Sequence, residues 1–268
     1  MLIFSPWARR WINPLCGYHD MSLCVIIPAA GRGSRLGFDK PKLLVSITED
    51  LTIWDVLRKK LLDMCDHLVV VMSPEGAKSL QKILLDDPSA KRISVAIQET
   101  PAGMGDAVMK GRETWQKFND LCVIWGDQVH VSQDTLKRSI AAHTNTPAPR
   151  LTLPLVRMDK PYVEYCFDEG GRLERILQSR EGDSCHPGGL GDIGTFLLSV
   201  NGLESSWRAY EKSAPRGEKT GEINFLPFLV YLTQNNWNCT QVMIGDADEA
   251  RGINTPQDLE YFRRLYKT

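Results

Sequence analysis

The sequence lacks the features that mark several common protein classes. No apolar stretch reaches the roughly 18 residues that a membrane-spanning helix requires. The seven cysteines include no C-x-x-C pair, and several lie in apolar runs, which argues against a disulfide framework and favours a reducing cytoplasm. Acidic and basic residues nearly balance, 33 against 32, so no overall positive charge attracts nucleic acid. Any ligand is therefore expected to be a small molecule in a pocket rather than a nucleic acid.

A glycine-rich, basic segment follows the first predicted strand. The branched apolar run at 23–27 predicts a buried strand, which ends at Pro28 because proline cannot donate a ladder hydrogen bond. The segment beyond it reads A-A-G-R-G-S-R, then five residues, then Pro41-Lys42. Glycines let the backbone turn sharply and expose successive N–H groups to an anion, and arginine suits bidentate contact with phosphate. The segment predicts a triphosphate site.

Two familiar phosphate-binding loops do not match this segment. A Walker loop ends in Gly-Lys-Ser/Thr, and that tripeptide does not occur in the chain. The dinucleotide fingerprint needs a third glycine where Leu36 stands. The pattern instead resembles the nucleotidyltransferases that join nucleoside triphosphates to sugar phosphates and related acceptors. It is most similar to the bacterial uridyltransferase domain that makes UDP-N-acetylglucosamine, and the resemblance spans about residues 23–266.

Strands and helices alternate through the first half of the chain, which predicts parallel strands with right-handed crossovers. Strands are predicted at 67–72, 93–97 and 121–125, and helices at 53–65, 74–85 and 133–143, with another that follows Gly105 and runs to about Phe118. Ligands bind at the carboxyl ends of such strands. The resemblance implies a Rossmann-like three-layer α/β/α sandwich with a mixed, mostly parallel sheet, the glycosyltransferase-A-like nucleotidyltransferase fold, plus a small β-rich insertion on the acceptor side.

One aspartate is placed to hold a divalent cation. Asp127 follows the fourth predicted strand, at the sheet edge where the triphosphate loop also lies. Magnesium prefers oxygen ligands and takes few of them from the protein. The resemblance implies that Asp127 and Asn254 bind Mg²⁺ together. The neighbouring Thr255 and Pro256 are predicted to be the N-cap and the first residue of a terminal helix.

The resemblance also implies the remaining site residues. Arg35 and Lys42 are the expected catalytic cations. The expected nucleotide-binding residues are Ala29, Ala30, Gly31, Arg32, Gly33, Ser34, Gln98, Gly103 and Met104. The expected acceptor-binding residues are Gln178, Asp192, Gly194 and Glu222. Because the amide of Gln98 can face either way, it does not separate uracil from cytosine.

The chain departs from the resembling family on the acceptor side. Gln178, at the end of a hairpin predicted over 163–178, stands where the family has a glutamate that contacts N-acetylglucosamine. Asp192 stands where the family often has asparagine, and a carboxylate there favours a cationic group on the acceptor. Between them, 181–191 is predicted to be a polar, glycine-rich loop. These departures leave the identity of the acceptor open, while the expected nucleotidyl transfer is unaffected.

Two proline residues in 144–150 mark a boundary between a nucleotide-binding half, 21–145, and an acceptor-binding half, 146–268. Residues 1–20 precede the recognisable domain, and we expect an appendage that is poorly ordered, lies on the surface, or results from the choice of start codon. The expected partners are a nucleoside triphosphate and a small phosphorylated acceptor, without nucleic acid or membrane; a homo-oligomer stays open.

Several alternatives remain at this point. A cytidylyltransferase for a phosphoalcohol or phosphonate, or a transferase acting on a molybdenum cofactor, would use the same chemistry on another acceptor. A glycosyltransferase of related fold would need an Asp-x-Asp metal motif, which Asp127-Gln128-Val129 does not supply. A non-catalytic subunit that binds sugar nucleotides would not need all four of the residues Arg35, Lys42, Asp127 and Asn254.

Overall fold

The structure, a computed structural model, describes residues 22–31, 33, 36–38, 40–100, 102–217 and 221–267. Residues 1–20, the predicted appendage, lie outside the described residues. The predicted site residues Arg32, Ser34 and Arg35 also lie outside them. Within those ranges, no helix is long and apolar enough to cross a bilayer.

The described residues form ten strands and eight α-helices, each numbered in chain order. The strands β1–β10 are Leu23–Pro28, His67–Met72, Ile93–Ile97, Asp120–Ile124, Arg150–Met158, Val163–Phe167, Leu173–Gln178, Gly189–Asp192, Thr195–Ser199 and Asn238–Ile244. The helices α1–α8 are Ile53–Leu62, Pro74–Leu84, Met104–Lys110, Arg112–Trp115, Gln133–Thr144, Leu203–Glu211, Phe225–Gln234 and Pro256–Tyr266. The four strands predicted in the nucleotide-binding half are confirmed to within one residue.

Eight strands form one mixed sheet in the order β10-β5-β9-β4-β1-β2-β3, with β8 paired to β5. The neighbours β4, β1, β2 and β3 are parallel, as the alternation predicts, whereas β9 runs antiparallel to β4 and β5. β6 and β7 form the predicted hairpin as a separate two-stranded sheet. The carboxyl ends of the central parallel strands therefore share one edge, where a ligand site is expected.

Strand β1 shows why the fold has three layers. Leu23, Val25 and Ile27 join one buried hydrophobic cluster, and Cys24 and Ile26 join the other. Successive side chains of a strand point to opposite faces of the sheet. Because both faces of β1 are covered, the strand reads as a continuous apolar run, and the predicted α/β/α sandwich is confirmed.

Two local predictions are wrong. Residues 181–191 are not all loop, because Gly189–Asp192 pairs with β5 as β8. Glycines are needed there because neighbouring side chains lie too close for a Cβ. A Cβ at Gly189 would lie 2.8 Å from Glu164, and one at Gly191 would lie 2.5 Å from the Met158 sulfur. The helix predicted to follow Gly105 and run to about Phe118 begins at Met104 and breaks at Gly111, where a Cβ would lie 2.5 Å from Ile26.

A buried polar cluster joins β4, α5 and β5. Asp120 accepts hydrogen bonds from the ring of His143 (3.0 Å) and from Arg150 (2.8 Å), and His143 also bonds Thr152 (2.9 Å). Burial raises the pKa of Asp120, but the hydrogen bonds from His143 and Arg150 and the charge of Arg150 outweigh it, so this pKa lies below its ordinary value. Burial lowers the pKa of His143. The ring is therefore neutral and donates to the carboxylate.

Candidate active site

Three residues from distant parts of the chain meet at the carboxyl edge of the sheet. Lys42 begins a short 3-10 turn after the glycine-rich loop, Asp127 follows β4, and Asn254 precedes α8. The Lys42 ammonium donates to Asp127 Oδ2 at 2.6 Å and to Asn254 Oδ1 at 3.1 Å. The ammonium is thus a cation held by one carboxylate oxygen and one amide oxygen.

Glycine lets the loop lie directly against Lys42. Gly33 has φ +62°, and a Cβ there would lie 2.9 Å from the Lys42 Cβ. At the start of the loop, the Ala29 N–H donates to Val71 O at 2.7 Å, which continues the ladder of the sheet past the end of β1. A larger residue at 33 would therefore move the loop away from the lysine.

Asn254 is held beside Asp127 by backbone bonds. The Ile253 N–H donates to Asp127 O at 3.1 Å, and the Asn254 N–H donates to Asp258 Oδ2 at 3.2 Å. Thr255 and Asp258 form a capping box with Pro256 in the first turn of α8. The predicted cap is confirmed, and it also anchors Asn254 because Asp258 serves both purposes.

The donor set around the lysine fits magnesium. Among the described residues, no group of three or more His, Cys, Asp or Glu side chains could hold a metal ion. Magnesium is commonly bound by one or two carboxylates together with substrate phosphates and water. Asp127 and Asn254 supply one charged and one neutral oxygen to a common cation, the Lys42 ammonium. This arrangement can hold a metal ion whose remaining ligands are substrate phosphates and water.

The amide of Gln98 has a defined orientation. This buried side chain donates from Nε2 to Gly103 O at 3.1 Å and to Asp106 Oδ2 at 2.8 Å. Both partners are acceptors, so the nitrogen must face them and Oε1 must face away. The orientation that the sequence left open is therefore decided by Asp106, a residue that the sequence did not predict.

Asp192 is bonded within the protein. It accepts from the Gly194 N–H at 2.7 Å and from the Tyr165 hydroxyl at 3.1 Å. Burial raises its pKa, and nearby Asp127 contributes in the same direction, although the two hydrogen bonds oppose the shift. The carboxyl group thus lies near Asp127, and Tyr165 and Gly194 already occupy one bonding position on each of its oxygens.

The remaining predicted acceptor residues are Gln178, at the end of β7, and Glu222, in the segment before α7. Gln178 Oε1 accepts from Asn224 Nδ2 at 2.7 Å. Gly103 has φ +99°, and a Cβ there would lie 3.2 Å from the Glu222 Cβ. The predicted base-binding loop therefore packs directly against the loop that carries Glu222, which brings the two halves of the chain together.

Comparison with known proteins identifies the family. Residues 25–182, more than half of the chain, match the family model of the MobA-like NTP transferase domain. The chain belongs to this family. It is therefore a nucleotidyltransferase, with the mixed, mostly parallel sheet expected of one.

A relative extends the comparison past residue 182. The chain is 29% identical over 240 residues to the bifunctional protein GlmU of Syntrophotalea carbinolica, an alignment that covers 88% of this chain and 49% of that protein. The chain thus spans about half the length of this relative. The similarity agrees with the resemblance read from the loop motif.

Other polar residues considered from the sequence have partners of their own. His186 bonds Glu164 through its backbone N–H and its ring, and its side chain is 69% exposed. Arg216 donates to Gly221 O at 3.0 Å, and Lys219 lies outside the described residues. Neither His186 nor Arg216 bonds a predicted catalytic residue within the described part of the chain.

Sequence reasoning missed three side chains that shape the site. Asp106 orients Gln98, Tyr165 bonds Asp192, and Gln128 lies next to Asp127. Tyr165 carries no local signal, because only the hairpin's packing brings it to Asp192. Gln128 carried a weak signal: it is a polar residue directly after Asp127, the predicted metal ligand, and before the buried Val129.

Proposed function

We propose that this nucleotidyltransferase moves a nucleoside monophosphate from UTP or CTP to a phosphorylated acceptor, with a sugar 1-phosphate as the favoured acceptor. The observation that carries the proposal is the pair of bonds from Lys42 to Asp127 and Asn254. A cation, a carboxylate and an amide oxygen meet where the glycine-rich loop ends. This is the charge arrangement that a triphosphate and its metal need. The reaction is assigned to the cytoplasm on cysteine usage alone.

The chemistry requires positioning more than covalent help. An acceptor phosphate oxygen attacks the α-phosphorus, the bond to the bridging oxygen breaks, and pyrophosphate leaves with its electron pair. Because the acceptor phosphate is already an anionic nucleophile, no general base is needed, which agrees with the separate bonding of His186. Lys42 and Arg35 are assigned to the phosphates, whose charge they offset in the transition state.

Asp127 and Asn254 are assigned to magnesium. A Mg²⁺ ion bound to their oxygens would join phosphate oxygens of the substrate and offset their charge. The support is the bonding of both oxygens to one cation, the Lys42 ammonium. The backbone bond from Ile253 to Asp127 holds the two loops in contact.

Gln98, Gly103 and Met104 are assigned to the base. With Nε2 of Gln98 held by Gly103 and Asp106, Oε1 is left to accept a hydrogen bond from the base. Uracil can donate from N3 and cytosine from its amino group, so both pyrimidines satisfy this acceptor.

A second acceptor class is supported by one observation. Gln178 and Asp192 replace the family's glutamate and asparagine, and Gln178 is already bonded to Asn224. A phosphoalcohol or phosphonate acceptor, used with CTP, has no N-acetyl sugar for the missing glutamate to contact. The acceptor panel must therefore include both classes.

The test is pyrophosphate release from each of the four nucleoside triphosphates with Mg²⁺, across sugar 1-phosphates and phosphoalcohols. We expect release with UTP or CTP only, and loss of release when magnesium is chelated. A thermal-shift screen of the same ligands gives an independent readout, because a ligand that binds the native state raises its melting temperature. Release with no triphosphate and acceptor pair, or release confined to purines, contradicts the proposal.

A further inference from the structure

Gln128 lies in the turn that follows β4, one residue after Asp127. Its backbone N–H donates to Trp125 O at 3.1 Å, which closes the turn. The residue is buried, with 7% of its surface exposed. A glutamine is rarely buried to this extent unless its amide is hydrogen-bonded.

The carboxamide of Gln128 makes no hydrogen bond with any residue that the structure describes, and its Oε1 is a buried oxygen without a partner. The two other buried glutamines of the site differ, since Gln98 bonds Gly103 and Asp106, and Gln178 bonds Asn224. A buried polar group without a partner is unfavourable for folding. The fold therefore gains nothing from the amide of Gln128 that a methionine of similar size would not supply.

Packing between two glycines holds this side chain in the site. On one side, a Cβ at Gly194 would lie 2.5 Å from Gln128 Cγ. On the other, a Cβ at Gly252 would lie 3.1 Å from three atoms at once: Gln128 Nε2, Asp127 Cγ and Asn254 Nδ2. No two of these atoms can be more than twice that distance apart. The nitrogen end of the amide therefore lies next to the residues assigned to the metal.

We propose that Gln128 binds substrate, with Nε2 donating a hydrogen bond to a non-bridging phosphate oxygen at the reaction centre. This inference rests on the proposed function and adds a residue to it. Phosphate oxygens accept hydrogen bonds, and a neutral amide can donate to them without the positive charge by which a second lysine would compete with the metal ion for those oxygens. The oxygen belongs either to the α-phosphate of the triphosphate or to the acceptor phosphate.

The test compares Gln128→Met with Thr195→Val. Thr195 is a suitable control because it follows Gly194, is fully buried, and has a hydroxyl oxygen without a partner in the described residues. Each change removes an unpaired polar group from the fold at nearly constant volume. Without ligand, we expect both variants to melt about 2–4 °C above wild type, the shift that a modest gain in stability gives in a domain of this size.

The two variants should differ in function. We expect kcat/KM for pyrophosphate release to fall about 10- to 100-fold in Gln128→Met, the loss of one hydrogen bond to a charged group, and to stay at the wild-type value in Thr195→Val. Two calorimetric titrations of the protein, one with triphosphate in the presence of Mg²⁺ and one with inorganic phosphate, show which phosphate supplies the oxygen. Weaker triphosphate binding assigns the oxygen to the α-phosphate, and weaker phosphate binding assigns it to the acceptor.

Three outcomes overturn the inference. They are wild-type turnover and binding in Gln128→Met, a melting temperature below wild type in that variant, and an equal loss of turnover in Thr195→Val. If the wild type binds these ligands but releases no pyrophosphate, the proposed reaction fails while the two titrations still decide the role of Gln128. If the wild type binds neither ligand, both proposals fail.

Discussion

The ammonium of Lys42 lies 3.1 Å from the amide oxygen of Asn254, although 212 positions separate the two residues in the chain. The same ammonium lies 2.6 Å from Asp127. The Lys42 ammonium therefore joins residues from the start, the middle and the end of the domain. Charge that develops on a bound triphosphate at this point would be met by groups already in position.

Replacing Asp127 by asparagine removes the charged oxygen while keeping the side chain's shape. We expect turnover to fall about 10²- to 10³-fold, as for other contacts that offset transition-state charge, and the melting temperature to change little. Asp86→Asn is the matched control, because Asp86 is exposed and has no bond within the described residues. Wild-type turnover with Mg²⁺ in Asp127→Asn contradicts the metal assignment.

Replacing Lys42 by methionine tests the catalytic cation. We expect a similar loss of kcat, because the flexible stem is kept and only the charge and its hydrogen bonds are removed. Lys59→Met is the control, since Lys59 is an exposed lysine of α1. Steady-state kinetics with saturating triphosphate decide the outcome, and an unchanged kcat would assign Lys42 to the fold alone.

Replacing Asp106 by alanine tests how Gln98 is oriented toward the base. The Gln98 amide would keep one partner, Gly103 O, and lose the other. We expect kcat/KM for the preferred pyrimidine triphosphate to fall about tenfold, the value of one hydrogen bond. Lys110→Ala is the control, because it removes the 3.7 Å ion pair with Asp106 and leaves Gln98 bonded. An unchanged kcat/KM in Asp106→Ala contradicts the orienting role.

Stability should fall as the pH drops below neutral. Burial lowers the pKa of His143 from its ordinary value of 6.5, so the unfolded chain takes up a proton there before the folded protein does. The stability that this residue contributes is present above pH 6.5 and is lost as the pH falls toward the folded pKa. His67, whose pKa burial also lowers, acts in the same direction.

Urea unfolding at pH 8 and pH 5.5 checks this prediction. We expect the free energy of unfolding to decrease between these pH values in wild type and to decrease less in His143→Gln, which cannot be protonated. At pH 8 the variant should be less stable than wild type, because one of the two bonds to Asp120 or Thr152 is lost. An identical pH dependence in both proteins contradicts the assignment to His143.

The sequence was sufficient where the physical cause is local. The run 23–27 could be read as a buried strand because branched apolar residues on both faces leave few alternatives. The cap at Thr255 and Pro256 was equally predictable, since a hydroxyl N-cap and a proline in the first turn act within one turn of helix. The candidate site residues came from the resemblance to a known family, carried over motif by motif along the chain, and their roles stay predictions.

Tertiary structure decided the features that depend on neighbours distant in sequence. Gly189–Asp192 forms a strand because β5 lies beside it and large side chains fill the space that a Cβ would take. The amide of Gln98 has one orientation because a carbonyl and a carboxylate face its nitrogen. Gln128 is unpaired because packing between Gly194 and Gly252 buries it where no protein donor or acceptor within the described residues reaches its amide. Burial and hydrogen-bond partners are properties of the assembled fold, so no local pattern could supply them.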